Sequence, residues 1–346
     1  MNEKTRILVA LSGGVDSSIA AALLKEAGNL IEGAIMVFEG VKQENIELAA
    51  GVARCLGIPF HCVDLEKEFK ELIVSNFAAE YGRGRTPNPC VLCNKLLKFD
   101  LLLKKTELKN IGRFATGHYA HIEEKHDRYL VKRGRDKNEQ SYFLYRLSQE
   151  QLSKTILPLG EFTKEEVRKM ARRHGLPTAK RKKSQDACFI REGDYASFLR
   201  KLLPEKPGPI VNEEGKTVGH HKGIIYYTIG QRHGLGISHK YPYYVTHIDA
   251  ATNTIHVGER KEVFKRQLIA SDLNFIPFNT LERSLEVTAK VRYFSPLSAA
   301  TIEPLDKNGV RVIFEKPQWA ITPGQSIVFY QDDLVIGGGT IEKSLD

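Results

Sequence analysis

Ser12-Gly13-Gly14-Val15-Asp16-Ser17-Ser18 lies between two apolar segments of different character. Residues 7–11, which read Ile-Leu-Val-Ala-Leu, predict a buried strand of a parallel sheet, and residues 19–24 predict a helix. A strand, a tight glycine turn and a helix start bring unpaired backbone N–H groups and the positive end of the helix dipole to one place. The glycines allow a phosphate to approach the backbone, and the serines add hydroxyl donors. The sequence therefore predicts a phosphate-binding loop.

This loop differs from the common nucleotide loop that contains a lysine. The pattern Gly-x-x-x-x-Gly-Lys-Ser/Thr does not occur in the chain. Asp16 stands instead where a carboxylate could meet a cation or a metal bound to pyrophosphate. Ser-Gly-Gly-x-Asp-Ser-Ser is typical of the pyrophosphate loop of enzymes that split ATP into AMP and pyrophosphate. An ordinary glycine-rich turn between a strand and a helix is the alternative.

Length and composition bound the class of protein. The 346 residues are enough for two or three domains, and 51 Lys and Arg against 42 Asp and Glu give a formal charge of +9. This excess favours a polyanionic partner but also fits a basic enzyme. No apolar run reaches membrane-spanning length and no signal-peptide core follows the first residues, so we expect a cytoplasmic protein without a membrane partner.

The first part of the chain alternates short apolar runs with helical patterns, which is typical of a doubly wound parallel sheet of the α/β class. Predicted strands cover residues 7–11, 30–38, 60–64 and 114–116. Predicted helices cover residues 19–24, 45–56, 66–81, 94–105, 163–174 and 194–203. Because ligands bind beyond the carboxyl ends of such strands, Ser12, Met36 and Gly117 could converge on one nucleotide.

Beyond a Pro- and Gly-containing linker at residues 206–209, short predicted strands are separated by turns. These strands cover residues 243–247, 254–257, 285–291, 310–314 and 326–329. Their spacing predicts a catalytic domain over 1–205, a small β-rich module over 206–270 and a β-barrel over 271–346. Residues 226–236 combine tyrosine, arginine and glycine, which suits looped RNA or a turn with structural tyrosines.

Five cysteines, an odd number, argue against a disulfide framework. Cys55 in a predicted helix and Cys62 in a predicted strand are expected to be small core residues. Cys90 and Cys93 form a Cys-x-x-Cys pair after two prolines, with Asn94 expected to open the next helix. Such a pair indicates redox or metal chemistry.

Cys188 is the third cysteine of chemical interest. It follows Arg181, Lys182 and Lys183, whose positive charges are expected to lower the pKa of its thiol. The surrounding segment is polar on one side, so a reactive thiol is favoured over a buried one.

Taken together, these motifs resemble those of the tRNA-specific 2-thiouridylases (the MnmA/TrmU family), and the resemblance extends along nearly the whole chain. The matching segments are residues 10–17, 86–95, 115–120, 140–145, 184–190, 230–236 and 323–326. The first segment alone marks only ATP pyrophosphatases, whereas the two cysteine segments with Gly-Gln-Arg-x-Gly-Leu-Gly are specific to this family. The resemblance implies a pyrophosphatase (PP-loop) domain of the adenine nucleotide alpha-hydrolase type, a small central module and a C-terminal β-barrel.

The resemblance also implies a reaction, in which ATP with Mg²⁺ activates the 2-oxygen of uridine 34 of tRNA and sulfur replaces it, releasing AMP and pyrophosphate. Cys93 would be the nucleophile and Cys188 would carry the sulfur as a persulfide. The residues implied to hold ATP are Ala10, Leu11, Ser12, Gly13, Gly14, Val15, Asp16, Ser17, Met36 and Gly117. Those implied to meet the target base are Asn88, Pro89 and Cys90. Those implied to contact tRNA are His118, Asn138, Glu139, Gln140, Arg292, Tyr293 and Gln325.

The chain departs from the family where Cys90 replaces an aspartate that many members carry. Cys90, Cys93 and Cys188 could then hold a [4Fe-4S] cluster with one open iron, and Cys93 would be a ligand rather than a nucleophile. The sulfur donor would be free sulfide in that case, and a cysteine desulfurase or sulfur-relay protein in the persulfide case. Both routes stay open on the sequence.

Two other functions remain as alternatives. Another PP-loop enzyme, such as a lysidine-type ligase, would keep the phosphate loop but need no reactive cysteine. A non-catalytic RNA-binding iron–sulfur protein would release no AMP.

Overall fold

The computed structural model describes residues 6–106, 111–181, 188–190, 195–305 and 309–345. The chain divides into two compact units. The first contains Met1–Ile73, Cys90–Phe189 and Asp333–Val335, and the second contains Val74–Pro89, Ile190–Asp332 and Ile336–Asp346. The predicted domain boundaries at residues 205 and 270 stay predictions.

A five-stranded parallel sheet forms the centre of the first unit, in the order β3-β2-β1-β4-β7. Its strands are β1 Arg6–Ala10, β2 Ile31–Val37, β3 Phe60–Asp64, β4 Ile111–Ala115 and β7 Thr155–Ile156. Buried side chains of β1 and β2 pack with the inner face of the first helix, where Ile19 and Ala20 are fully buried. The doubly wound parallel sheet predicted from the alternating pattern is confirmed.

Helices lie at the positions predicted for the first unit, although the helix predicted over 66–81 is divided and α7 was not predicted. They are α1 Val15–Glu26, α2 Gln43–Leu56, α3 Glu66–Glu68, α5 Pro89–Cys93, α6 Leu102–Lys105, α7 Gln149–Lys154 and α8 Lys164–Arg173. The helix α2 ends at Gly57, whose φ of 58° gives the left-handed cap that glycine favours. Two segments widen to π-helix, Phe69–Val74 after α3 and Asn94–Leu101 between α5 and α6.

Two expectations about the cysteines are wrong. The helix that carries Cys90 and Cys93 begins at Pro89 rather than at Asn94. Proline suits the first helical position because its missing N–H would be unpaired there anyway. Cys55 and Cys62 are exposed rather than buried in the core, since both point away from the packed faces of their helix and strand.

An antiparallel hairpin, β5 Ala120–Lys125 and β6 Arg128–Arg133, follows β4 in the first unit. The loop at residues 134–140 leaves the hairpin and leads into a short 3₁₀ turn, Ser141–Leu144. The helices α7 and α8 each begin with a complete capping box, built on Ser148 and Thr163 respectively. The box predicted at Thr163 is confirmed.

The second unit is mostly β-structure, as predicted. It contains helices α4 Ser75–Gly82 and α9 Tyr195–Arg200 and a four-stranded sheet in the order β10-β11-β8-β9. The strands of that sheet are β8 Gly208–Val211, β9 Thr217–His221, β10 Tyr244–Asp249 and β11 Thr254–Gly258.

Six further strands form a closed barrel, because β12 pairs with both β15 and β17. They are β12 Phe264–Phe275, β13 Leu285–Lys290, β14 Ser298–Leu305, β15 Gly309–Trp319, β16 Ser326–Gln331 and β17 Leu334–Leu345. Alternate side chains such as Leu268, Ile302 and Val312 are fully buried inside it. Within the described part of the chain, no helix combines the length and apolar character needed to cross a membrane.

Candidate active site

The phosphate loop joins β1 to α1 in the first unit. The α1 helix begins after Gly14 without a side-chain cap, so its first N–H groups remain available to an anion. The hydroxyl of Ser18 donates to the carbonyl of Gly14 at 2.7 Å, and the backbone N–H of Ser12 donates to the Ser17 hydroxyl at 3.1 Å. These bonds fix the shape of the loop before any ligand binds.

Gly13 and Gly117 lie where two backbone segments come too close together for any side chain. A Cβ on Gly13, whose φ is +68°, would lie 2.4 Å from the carbonyl oxygen of Asn45. A Cβ on Gly117 would lie 2.6 Å from the backbone of Asp16 and Ser17. The segment after β4 therefore packs directly on the phosphate loop. Met36, at the end of β2, is half-buried and pairs with Val63 of β3.

Asp16 has two partners that the sequence reasoning missed. The ammonium of Lys164 lies 2.5 Å from its carboxylate, and the hydroxyl of Tyr119 donates to Oδ1 at 2.7 Å. Burial, and next the negative charge of Asp16, raise the pKa of Tyr119, which keeps this hydroxyl protonated as a donor. A carboxylate, an ammonium and a phenol thus meet beside the uncapped helix start.

Arg181 also holds the loop. Its guanidinium donates to the carbonyl of Gly13 at 2.7 Å and to the side-chain oxygen of Asn45. The hydroxyl of Thr178 donates to that of Ser18 at 3.0 Å. From the sequence, the charge of Arg181 was expected to act on the thiol of Cys188. Its guanidinium is hydrogen-bonded to Gly13 and Asn45. Lys182 and Lys183, with the rest of 182–187, lie outside the described residues.

The three cysteines of chemical interest share one neighbourhood in the first unit, since their charges act on one another. Cys90 and Cys188 retain accessible surface, whereas Cys93 is half-buried. The protein packed around them removes water, and this desolvation raises the pKa of Cys93 to about 12 and that of Cys188 to about 11. The pKa of Cys90 is raised for the same reason. The expected lowering of the Cys188 pKa is therefore wrong for this structure.

Lys98, on the π-helical segment after α5, is a cation whose charge acts on this neighbourhood. After burial, its positive charge is the next influence on the pKa of Cys90, Cys93 and His118, and it acts on Cys188 as well. His118 is buried, and burial lowers its pKa well below the usual value. Gly117, the residue before His118, packs on the phosphate loop.

Aromatic packing anchors the Cys188 segment. A Cβ on Gly40 would lie 2.7 Å from the Cα of Phe189 and 3.1 Å from the carbonyl oxygen of Cys188. The ring of Phe69 stacks on Phe38 with centroids 3.9 Å apart and meets Phe189 edge-on at 5.4 Å. The loop after β2 therefore sets the position of Cys188.

The residues present suit the two implied cofactors, Mg²⁺ and a [4Fe-4S] cluster, to different degrees. Asp16 offers the single carboxylate that Mg²⁺ commonly uses together with substrate phosphates. Among the residues described, no group of three His, Cys, Asp or Glu side chains is placed to hold a metal ion. Cys90, Cys93 and Cys188 are neighbours, but as arranged they do not form the ligand set of a cluster.

The residues predicted to contact tRNA in the first unit lie on or near the 136–140 loop. Glu139 is buried, and its carboxylate accepts from the backbone N–H of Ser141 at 2.8 Å and from Arg133 at 3.4 Å. Asn138 and Gln140 are half-buried. His118 is also buried, with Nδ1 2.7 Å from the Thr116 hydroxyl. Glu139 and His118 thus face inward in this structure.

In the second unit, the loop that precedes the cysteine helix is held by the barrel. The side-chain amide of Gln325 donates to the carbonyl of Thr86 at 2.9 Å and lies 3.4 Å from that of Pro87. Asn88 follows in this loop and Pro89 begins the cysteine helix, and both residues are half-buried. The guanidinium of Arg292 donates to the carbonyl of Trp319 at 3.3 Å, and the ammonium of Lys290 lies over the ring of Tyr293 at 5.9 Å.

Comparison with known families gives matches along the chain. Residues 5–192 match the tRNA methyl transferase HUP domain, residues 196–259 the tRNA methyl transferase PRC-barrel domain, and residues 265–341 the aminomethyltransferase beta-barrel domain.

Among similar proteins, the tRNA-specific 2-thiouridylase MnmA of Clostridium acetobutylicum is 45% identical, covering 99% of this chain and 100% of that protein. The protein of the same name from Clostridium perfringens is 44% identical, with 99% of each chain covered. A solved structure, the U34-tRNA thiolase NcsA from Methanococcus maripaludis with its [4Fe-4S] cluster, is 19% identical with a TM-score of 0.37, covering 58% of this chain and 63% of that one. That structural likeness is too weak to bear on function. From the matches along its full length, the chain belongs to the family of tRNA-specific 2-thiouridylases.

Proposed function

We propose that this protein is a tRNA-uridine 2-sulfurtransferase, which uses ATP to activate the 2-oxygen of the wobble uridine and replaces that oxygen with sulfur. The observation that carries the proposal is the content of the first unit. The first unit contains both an uncapped phosphate loop and a neighbourhood of three cysteines, and the charge of Lys98 acts on Cys93 and on His118, the residue after Gly117. The family's activity needs both parts.

The nucleotide end of the site uses residues 10–17 with Met36 and Gly117. The N–H groups at the start of α1 bind phosphate oxygens, and Lys164 adds a positive charge beside them. Asp16 would hold Mg²⁺, which when bound neutralises phosphate charge. Transfer of AMP to the uridine oxygen converts a poor leaving group into a good one and releases pyrophosphate.

The sulfur end uses two thiols. Cys188 carries a sulfane sulfur as a persulfide, supplied by a cysteine desulfurase or a sulfur-relay protein. The thiolate of Cys93 attacks the Cys188 sulfur atom, a Cys93–Cys188 disulfide forms, and hydrosulfide leaves. Hydrosulfide adds to C2 of the activated uridine and AMP leaves with the oxygen. A thiol reductant then reduces the Cys93–Cys188 disulfide back to two thiols. The positive charge of Lys98 favours the anionic form of the sulfur in these reaction steps.

Recognition of tRNA uses both units. Asn88, Pro89 and Cys90 meet the target base, which has to leave its stack to reach an activating group. The other contacts to tRNA come from Asn138 and Gln140 in the first unit and from Arg292, Tyr293 and Gln325 in the second. His118 and Glu139 are buried, so no contact with tRNA is assigned to them.

The test is an assay with unmodified tRNA, ATP, Mg²⁺ and a persulfide-generating desulfurase, in which AMP and 2-thiouridine are both quantified. The wild type is expected to form them in equal amounts. Cys188→Ser should abolish 2-thiouridine, whereas Cys55→Ser, which changes an exposed cysteine of α2, should leave it unchanged. Asp16→Ala should abolish AMP formation while tRNA binding without nucleotide is retained.

Two results would contradict the proposal. Release of AMP by the wild type without any 2-thiouridine would indicate a PP-loop enzyme of another type, such as a lysidine-type ligase. Absence of AMP from the wild type would indicate a non-catalytic RNA-binding protein.

A further inference from the structure

Tyr119 is hydrogen-bonded at both of its ends. Its hydroxyl donates to Asp16 in the phosphate loop at 2.7 Å. Its backbone carbonyl accepts from the N–H of Gln140 at 2.8 Å, and its backbone N–H donates to the side-chain oxygen of Gln140 at 3.2 Å. One buried residue therefore touches both the nucleotide end of the site and the 136–140 loop.

Lys164 makes a second connection of the same kind. Its ammonium lies 2.5 Å from both carboxylate oxygens of Asp16. Its backbone N–H, at the start of α8, donates to Oδ2 of Asp136 at 2.7 Å. The other oxygen of that carboxylate accepts from the backbone N–H and the side-chain amide of Asn138, at 2.7 and 3.1 Å.

Additional bonds make the loop and the start of α8 one assembly. The N–H of Arg135 donates to the carbonyl of Gly160 at 2.9 Å, and its guanidinium pairs with Glu166 at 2.9 Å. Glu166 is also the third residue of the α8 capping box, where it accepts from the backbone N–H of Thr163. A change at Lys164 therefore reaches the loop through short, directed contacts.

We infer that Tyr119 and Lys164 are positioning residues that couple the occupation of the phosphate loop to the 136–140 loop, so that ATP binding tightens tRNA binding. The inference rests on the proposed function, since it takes ATP and tRNA as the two ligands. It adds two residues and an energetic link between the ligands.

The physical reason is the negative charge that a bound nucleotide brings to the surroundings of Asp16 and Lys164. The triphosphate brings negative charge to the place where Lys164 meets a single carboxylate, so its ammonium gains a second anionic partner. The start of α8 and the loop tied to it then become more strongly held. A loop that is already ordered loses less conformational freedom when tRNA binds, which favours the second ligand. By thermodynamic linkage, tRNA tightens ATP binding by the same factor.

The experiment measures the dissociation constant of unmodified tRNA by fluorescence anisotropy, with and without a non-hydrolysable ATP analogue and Mg²⁺. In the wild type the analogue is expected to tighten tRNA binding about tenfold, within the usual range of such couplings. With the analogue saturating for each variant, as checked by a separate titration of the analogue, Tyr119→Phe and Lys164→Met should each reduce the effect to less than about twofold. Lys164→Arg, which keeps the charge, should retain part of it.

Two matched controls separate coupling from general disturbance. Tyr129→Phe removes a hydroxyl that bonds to Glu124 on the hairpin, and Lys169→Met removes an α8 ammonium that pairs with Glu165. Both should keep the full tightening, and thermal unfolding checks that every variant folds.

Equal tightening in the wild type, Tyr119→Phe and Lys164→Met would overturn the inference. The same holds if the analogue leaves the dissociation constant of tRNA for the wild type unchanged. If thiolation is intact in that second case, the proposed function stands without the coupling. Tightening without any 2-thiouridine would instead support the coupling and contradict the proposed function.

Discussion

His118 shows what burial does to a single titratable side chain. It is enclosed with Phe99 and Thr116, and burial first and Lys98 second keep its pKa well below the usual value. The folded protein therefore holds a neutral imidazole at pH values where a histidine in the unfolded chain takes up a proton. The free energy of unfolding therefore falls as the pH drops below about 6.5, the pKa of a histidine in the unfolded chain, because only the unfolded chain gains the proton.

We predict that His118→Asn loses less stability than the wild type between pH 7 and pH 5.5. The expected difference approaches about 1.4 kcal/mol per pH unit once the unfolded histidine is mostly protonated. Thermal unfolding monitored at several pH values measures it, and the two curves should run parallel above pH 7. Parallel curves over the whole range would mean that the buried imidazole takes up its proton as readily as an unfolded one.

At the level of residues, the sequence predicted contacts correctly only between side chains that are close together along the chain. The phosphate loop could be predicted because strand, turn and helix are consecutive. Lys164 and Tyr119 could not, because they lie 148 and 103 residues from Asp16 and only the fold brings them there. The pKa of Cys188 was predicted from neighbouring charges in the sequence, whereas enclosure by distant segments dominates it.

The helices α7 and α8 form a matched pair for testing what a helix start contributes. Each begins with a capping box, and only α8 begins with a residue, Lys164, that contacts the phosphate loop. We predict that Ser148→Ala and Thr163→Ala each lower stability by about 1 kcal/mol. Only Thr163→Ala should also raise the KM for ATP, because a frayed α8 start displaces the ammonium from Asp16.

Chemical unfolding and steady-state kinetics on both variants measure the two effects. An equal rise in KM for both would show that loss of stability alone weakens ATP binding. An unchanged KM in Thr163→Ala would show that Lys164 keeps its place without the cap.

At the level of elements, alternation and caps predicted the order of strands and helices well. The start of the cysteine helix was wrong because Asn94 is a good capping residue, but Pro89 is an equally good first residue of a helix and comes earlier. Asn94 lies instead inside the helix, where its buried amide donates to the carbonyl of Phe143 at 3.2 Å. The π-helical segments carry no pattern that distinguishes them from α-helix in the sequence.

For the whole molecule, the net charge of +9 leads to a prediction about tRNA binding. Contacts between basic side chains and phosphates release counterions, so affinity falls steeply with salt. Raising salt from about 50 to about 200 mM is expected to weaken tRNA binding at least about tenfold. Anisotropy titrations measure the slope, with sucrose at equal osmolality as the control. A flat response would contradict a phosphate-binding surface on this protein.

The molecule as a whole was predictable as a class, with a parallel sheet followed by β-structure that closes into a barrel. The arrangement of the site was less predictable, because it depends on which loops pack together. Both the cysteine pair and Cys188 are visible as motifs, but their neighbourhood follows from contacts between segments far apart in the sequence.

The packing of the Cys188 segment against the loop after β2 requires a glycine at position 40. Its φ of +105° and its contact with the backbone of Cys188 and Phe189 leave no room for a side chain. Under the role proposed for Cys188, a mutational scan is expected to score position 40 as essential for sulfur transfer, although glycine has no functional group to offer. Substitution there is expected to block thiolation while adenylation continues, so that such a variant accumulates activated tRNA instead of the thiolated product.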